Sequence, residues 1–173
     1  DSKKYAEEGI PILRIGNINT GMFIPKELKY WEYDENLVRY QVKPGDLLIT
    51  LTGTVGKDDY GNVCIIDDTF PIYYLNQRNA KLDVFDTMNP IYLKYLLADT
   101  EIKNRLTGIS RGVRQANIAN RDILNLYVPI PSIEMQNQFS TFVQQVDKLK
   151  FVVQKSLDET QKLFDSLMQE YFG

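Results

Sequence analysis

TGISRGVRQANIANRD (107–122), ILNLYVPIP (123–131) and then a run free of glycine and proline from Ser132 to Phe172 make up the stretch that decides the architecture. The first piece is a basic loop rich in Gly and Asn. The second reads as a strand that ends in Pro129 and Pro131, neither of which continues a helix. In the third, Ser132 is a good N-cap and Glu134 places a carboxylate in the first turn, where the helix dipole favours it. Phe139, Phe142, Val146, Leu149, Val153, Ser156, Thr160, Leu163 and Leu167 repeat at spacings of three and four, the pattern of a coiled-coil seam. Some 40 residues at 1.5 Å each make a rod of about 60 Å. A lone helix with such a seam needs a partner.

Upstream, the chain reads as short strands and turns. IPILRIGNI (10–18), LVRYQV (37–42), DLLITLT (46–52), GNVCIID (61–67) and NAKLDVF (79–85) are separated by Gly, Pro and Asn. They predict a twisted mixed or antiparallel sheet. Asn89 caps a helix that starts at Pro90, runs through IYLKYLLADTEIKNRL and ends at Gly108. The expectation is an α/β (α+β) domain over residues 1–131, followed by a helical spacer over 132–173.

Composition narrows the function. The chain has 173 residues, 43% of them hydrophobic, enough for one domain plus an appendage. Its net charge of −3 argues against a generally basic nucleic-acid binder. The charge is uneven, however. Residues 102–121 hold Lys103, Arg105, Arg111, Arg114 and Arg121 with no Asp or Glu. Screening confines a field to about 10 Å, so such a face can bind phosphate on an acidic protein. The single cysteine, Cys64, excludes an internal disulfide and reads as a buried strand residue. Histidine is absent, which removes His-based acid–base chemistry, Ser-His and Cys-His nucleophiles and most zinc sites. No apolar run is long enough to span a membrane, and no signal peptide is evident, so the expected location is the cytoplasm.

Three motifs look catalytic and fall short. GTVGK (53–57) resembles a phosphate-binding loop, but Leu51 stands where a Gly is needed and Asp58 where a Ser or Thr is needed. It reads either as a tight strand connection or as a loop whose Thr54 and Lys57 approach a DNA backbone. NPIY (89–92) resembles a methyltransferase Asn-Pro-Pro-Tyr element with Ile91 in place of the second Pro, and a helix cap explains it. EIK (101–103) fits the end of a nuclease signature but lies in a helical stretch. SRGVRQANI (110–118) is sharper. Arg111 and Arg114 can fork onto guanine or phosphate, and Gln115 and Asn117 can pair with adenine. The bland reading is a solvated basic loop. YLNQRNAKL (74–82) sets Asn76, Gln77, Arg78 and Asn79 at a strand entrance, where they either read base edges or satisfy turn backbone.

Taken in order, GIPILRIGNINTG (9–21), PGDLLITLTGTVGK (44–57), YLNQRNAKL (74–82) and GVRQANIANRDILNLYVPIPSIEMQNQF (112–139) resemble the target recognition domain of a type I restriction-modification specificity subunit. FDSLMQEYF (164–172) resembles the end of that family's spacer helix. The family pattern has Glu-Gln directly, where this chain has Glu134-Met135-Gln136. The resemblance implies a non-catalytic DNA-binding subunit of a bacterial defence complex that guides DNA methylation and cleavage. Its partners would be double-stranded DNA, methyltransferase subunits and restriction subunits, with S-adenosylmethionine, ATP and Mg in those partners. Family members carry two recognition domains and two antiparallel helices. One of each implies a half-subunit that dimerises through its helix or a piece of a longer protein, and the start reads as truncated. The expected DNA contacts are Arg78, Arg111, Arg114 and Gln115, followed by Asn79, Lys57 and Thr54. The expected interface is Phe139, Phe142, Val146, Leu149, Val153, Leu163 and Leu167, with no catalytic and no metal residues. Two alternatives stand beside it: a non-catalytic helical dimerisation adaptor that binds protein, and a recognition fragment of a fused restriction-methylation enzyme.

Overall fold

A computed structural model describes residues 5–108 and 115–173, with the backbone alone at Gln115. Two compact units divide the chain, Asp1–Ile130 and Pro131–Gly173.

The first unit is built around one strand. β4 (Leu47–Thr50) is buried at all four positions. Successive side chains of a strand point to opposite faces, so a fully buried run serves two cores at once. Leu48 enters one cluster with Leu13, Ile18, Val42, Cys64, Ile66 and Tyr73. Leu47 and Ile49 enter the other with Tyr60, Val63, Leu97, Ile102, Leu106, Ala116 and Ile118. β4 lies between β6 (Val63–Ile65) and β8 (Asn79–Leu82), antiparallel to both, with Leu48 opposite Cys64 and Lys81. A second sheet runs β2-β1-β7-β3, from Lys29–Trp31, Ile10–Leu13, Tyr73–Leu75 and Gln41–Val42. Its β1–β7 pairing is parallel and the other two are antiparallel, which makes it mixed. A third, two-stranded sheet joins β5 (Thr52–Thr54) to β9 (Gln115–Asn117).

Local chemistry corrects several expected boundaries. The expected helix from Pro90 to Leu106 is two helices, α1 (Pro90–Ala98) and α2 (Thr100–Thr107). Asp99 breaks it: its ψ is 136°, and its carboxylate accepts from the Glu101 and Ile102 N–H groups, restarting the helix. Asn89 caps α1 by accepting from Ile91 and Tyr92 N–H at 2.8 and 3.2 Å. The strand expected at 37–42 is mostly a 3-10 turn, Glu35–Tyr40, capped by Asp34. The strand expected at 123–131 is absent. Asn120–Leu124 form a short helix, α3, started where Asp122 accepts the Ala119 N–H at 3.0 Å. Leu126 and Val128 then pack on the core without a strand partner.

The second unit is the helix α4, Ile133–Phe172, 40 residues long. The Ser132 hydroxyl accepts from Met135 N–H at 3.4 Å and so caps it. The Gln136 amide reaches back to the Pro131 carbonyl at 2.9 Å. Its buried residues are Gln136, Ser140 and Val143.

Candidate nucleic-acid interface

Three segments far apart in sequence meet at Leu51. Its N–H donates to the Arg78 carbonyl and its carbonyl accepts from the Ile118 N–H, both at 2.8 Å. The 76–79 turn, the 51–59 connection and the strand that comes after the 109–114 segment are therefore tied side by side. β5 and β9 continue the junction, with Thr52 opposite Asn117, Gly53 opposite Ala116 and Thr54 opposite Gln115.

The 51–59 connection is braced from within. Thr54 donates both its N–H and its hydroxyl to Asp59, at 2.8 and 2.9 Å. Burial pushes the Asp59 carboxyl up, but those two bonds and the Lys57 charge outweigh it and hold the group below its ordinary value. Gly56 turns the chain with φ +78°, a conformation that glycine adopts freely. Lys57 and Thr54 are exposed at this turn. The chain leaves GTVGK through a turn into β6, with no helix there to receive a nucleotide phosphate, so GTVGK is a strand connection.

The 76–79 turn is equally constrained. Asn76 Oδ1 accepts the Arg78 N–H at 3.1 Å, and the Leu13 carbonyl accepts both the Asn76 N–H and the Asn79 side-chain amide. Arg78 and Gln77 are exposed. Asn79 is 4% exposed, and its Oδ1 has no partner. The expected DNA contact Asn79 therefore lies in the interior, where its amide is committed to the backbone of β1 and braces the turn.

The basic stretch 102–121 is less free than its composition implies. Lys103 is bonded to Asp58 and Asn62. Arg105 pairs with Glu101, four residues earlier on α2, and Arg121 lies 3.9 Å from Asp122. All three carboxylates lie outside the 102–121 window. Lys103 thus fastens the 51–62 connection to α2, helped by the Tyr60 hydroxyl, which donates to the Thr107 carbonyl at 3.0 Å. Arg111 and Arg114 lie outside the described residues, as does the Gln115 side chain. EIK lies on α2, where Glu101 and Lys103 serve these ion pairs. No group of three metal-ligating side chains occurs among the described residues.

Two cations that the sequence does not single out, Arg14 and Lys26, reach this surface through the fold. They line an open cleft with Asn76, Gln77 and Arg78. The pairing of β1 with β7 brings Arg14 there, and the turn whose carbonyls Asn17 holds brings Lys26.

On α4, Phe142, Leu149, Val153, Leu163 and Leu167 are exposed; Phe139 is at the margin of exposure and Val146 is half-buried. Leu149 and Val153 expose 65% and 66% of their surface. No helix among the described residues is long and apolar enough to cross a membrane.

Relatives share this architecture. The chain is 27% identical over 169 residues to the protein assigned as the type I restriction enzyme MjaX specificity subunit of Methanocaldococcus jannaschii, covering 95% of the chain and 39% of that protein. It is 23% identical over 172 residues to the type I restriction enzyme EcoBI specificity subunit of Escherichia coli, covering 96% of the chain and 35% of that protein. The chain therefore spans little more than a third of the length of these curated relatives. The fold of the HsdS subunit from Thermoanaerobacter tengcongensis superposes with a TM-score of 0.62 at 17% identity, over 98% of this chain and 38% of that one. A chain solved in a study of assembly and conformational transition of a type I R-M system superposes with a TM-score of 0.67 at 18% identity, over 98% and 39%. The family described as the type I restriction modification DNA specificity domain matches residues 1–159, and the chain belongs to it.

Proposed function

We propose that the first unit reads one half of a split DNA target, as the recognition domain of a type I restriction-modification specificity subunit or half-subunit. The observation that carries this reading is the junction at Leu51, which gathers Arg78, Thr54, Lys57 and the strand that comes after Arg111 and Arg114. Rigid strands and braced turns hold these loops, so base-reading side chains lose little entropy on binding. Arg78, Arg111, Arg114 and Gln115 contact bases in the major groove; Lys57 contacts phosphate, beside Thr54, whose N–H and hydroxyl both go to Asp59. The unit performs no chemistry itself. S-adenosylmethionine, ATP and Mg act in the methyltransferase and restriction subunits it positions, in the cytoplasm. The exposed seam of α4 sets the spacing to a second half-site and docks the methyltransferase or a second copy.

Selection of bound duplexes from a random library, using the full-length protein with its methyltransferase subunits, tests this. Wild type should enrich one short half-site. Arg78→Ala should relax one position of it, at a cost of about 1–3 kcal/mol. If no sequence is enriched and binding does not weaken with salt, the protein does not recognise DNA.

A further inference from the structure

We infer that the cleft formed by Arg14, Lys26, Asn76, Gln77 and Arg78 is a binding subsite for the phosphodiester backbone of duplex DNA, flanking the base that Arg78 reads. The inference rests on the DNA-recognition reading above and adds a site to it.

The first ground is uncompensated charge. Elsewhere in this unit some cations, Lys81, Lys103, Arg105 and Arg121, each lie within 4.0 Å of a carboxylate, and exposed lysines such as Lys29, Lys43 and Lys57 do not among the described residues. Among the described residues, Arg14, Lys26 and Arg78 form no such pair, yet all three line one cleft. A single carboxylate, Glu27, shares it. Three cations against one carboxylate leave the cleft net positive, which attracts an anion, and a chain of phosphates with regular spacing most of all.

The second ground is preorganisation. Arg14 donates from its Nη2 to the Glu27 carbonyl at 2.7 Å, and its backbone N–H to Asn17 Oδ1 at 2.9 Å. Its Nε is buried with no hydrogen-bond partner. The guanidinium is thus fixed in direction and only partly hydrated, and a bound anion would compensate it. Lys26 is held by the turn beneath it. The Asn17 amide donates to the Ile24 and Lys26 carbonyls at 2.9 and 3.0 Å. Glu27 closes that turn with φ +53°, in the left-handed region that a residue with a Cβ enters at a cost. No other non-glycine among the described residues has a positive φ, and here the strained turn aims a carbonyl at Arg14.

The third ground is position. Asn76 and Gln77 line the same cleft, and Arg78 is bonded through its carbonyl to Leu51. The cleft therefore adjoins the proposed base-reading loops. A backbone contact there fixes register without reading sequence.

The test measures affinity of the full-length protein for a mixed-sequence duplex as salt is varied. Lys26 is exposed, and its side chain makes no bond among the described residues, so Lys26→Gln should fold. It should lower the slope of log affinity against log salt by about 0.9 and weaken every sequence by the same factor. Glu27→Asn removes the one carboxylate in a residue that tolerates the left-handed turn, and should tighten binding. Lys43→Gln, at an exposed lysine outside the cleft, should leave the slope unchanged. If Lys26→Gln keeps the wild-type slope, matches Lys43→Gln, or weakens one sequence alone, the backbone subsite is wrong while DNA recognition stands. If wild type shows no salt-dependent binding, both readings fall.

Discussion

A methyl group at Gly53 should cost this domain much of its stability. Gly53 lies in β5, opposite Ala116 of β9, and an ideal Cβ there would stand 2.3 Å from Asp59 Oδ1, 2.7 Å from Tyr60 Cβ and 2.8 Å from Tyr60 Cδ1. Neither neighbour has room to yield. Asp59 moves only by losing the two bonds from Thr54, and Tyr60 is 5% exposed with its hydroxyl donated to Thr107. Overpacking of this kind costs about 1–3 kcal/mol. Weakening the Thr54–Asp59 bonds adds about 1 kcal/mol. Gly53→Ala should therefore lose about 2–4 kcal/mol, or roughly 6–12 °C of melting temperature at about 3 °C per kcal/mol for a unit of this size. Gly16→Ala is the control, because a Cβ there meets nothing within 4 Å. It should lie within about 0.5 kcal/mol of wild type or stabilise slightly. Urea unfolding of both variants at unchanged m-value measures the difference. If Gly53→Ala unfolds within about 0.5 kcal/mol of wild type, the close approach of β5 to the 59–60 turn is wrong, and the rigid junction argued from it falls too.

The same structure sets three further outcomes. Asp59 has its folded pKa held below its ordinary value, so its contribution is present above about pH 4 and lost as pH falls through the lower folded value; the stability gap between wild type and Asp59→Asn should shrink on acidification, and a gap that widens would reverse the assignment. Cys64 is fully buried, and burial pushes its thiol up to about 12; a thiol reagent at pH 8 should label it only as fast as the domain unfolds, and rapid labelling of native protein would place it at the surface. Leu149→Asp with Val153→Asp removes two exposed apolar residues of the α4 seam, so the isolated fold should melt as wild type does while association with the methyltransferase, or with a second copy, is lost in sedimentation; undiminished association would place the interface elsewhere.

Much of this protein is legible from sequence because the deciding signals are local. Ser132, the prolines before it and the three-and-four spacing fix α4 through capping and periodicity alone. Asn89-Pro90 likewise fixes the start of α1. The strand at DLLITLT is visible too, but its role is not. A run of apolar residues does not say whether one face or two are buried, and it is the pairing with β6 and β8 that makes β4 serve both cores.

The site divides in the same way. Composition picks out polar, planar side chains at 76–79 and bases at 102–121, but it does not assign partners. Tertiary contacts take Asn79 into the interior and tie Lys103 to Asp58, 45 residues earlier. They bring Arg14 to Arg78 through the parallel pairing of β1 with β7, and Lys26 through the turn that Asn17 holds. Helix caps and periodicities act over a few residues, so sequence alone determines them. Charge compensation and cleft formation depend on which distant segments become neighbours, and only the folded chain decides that.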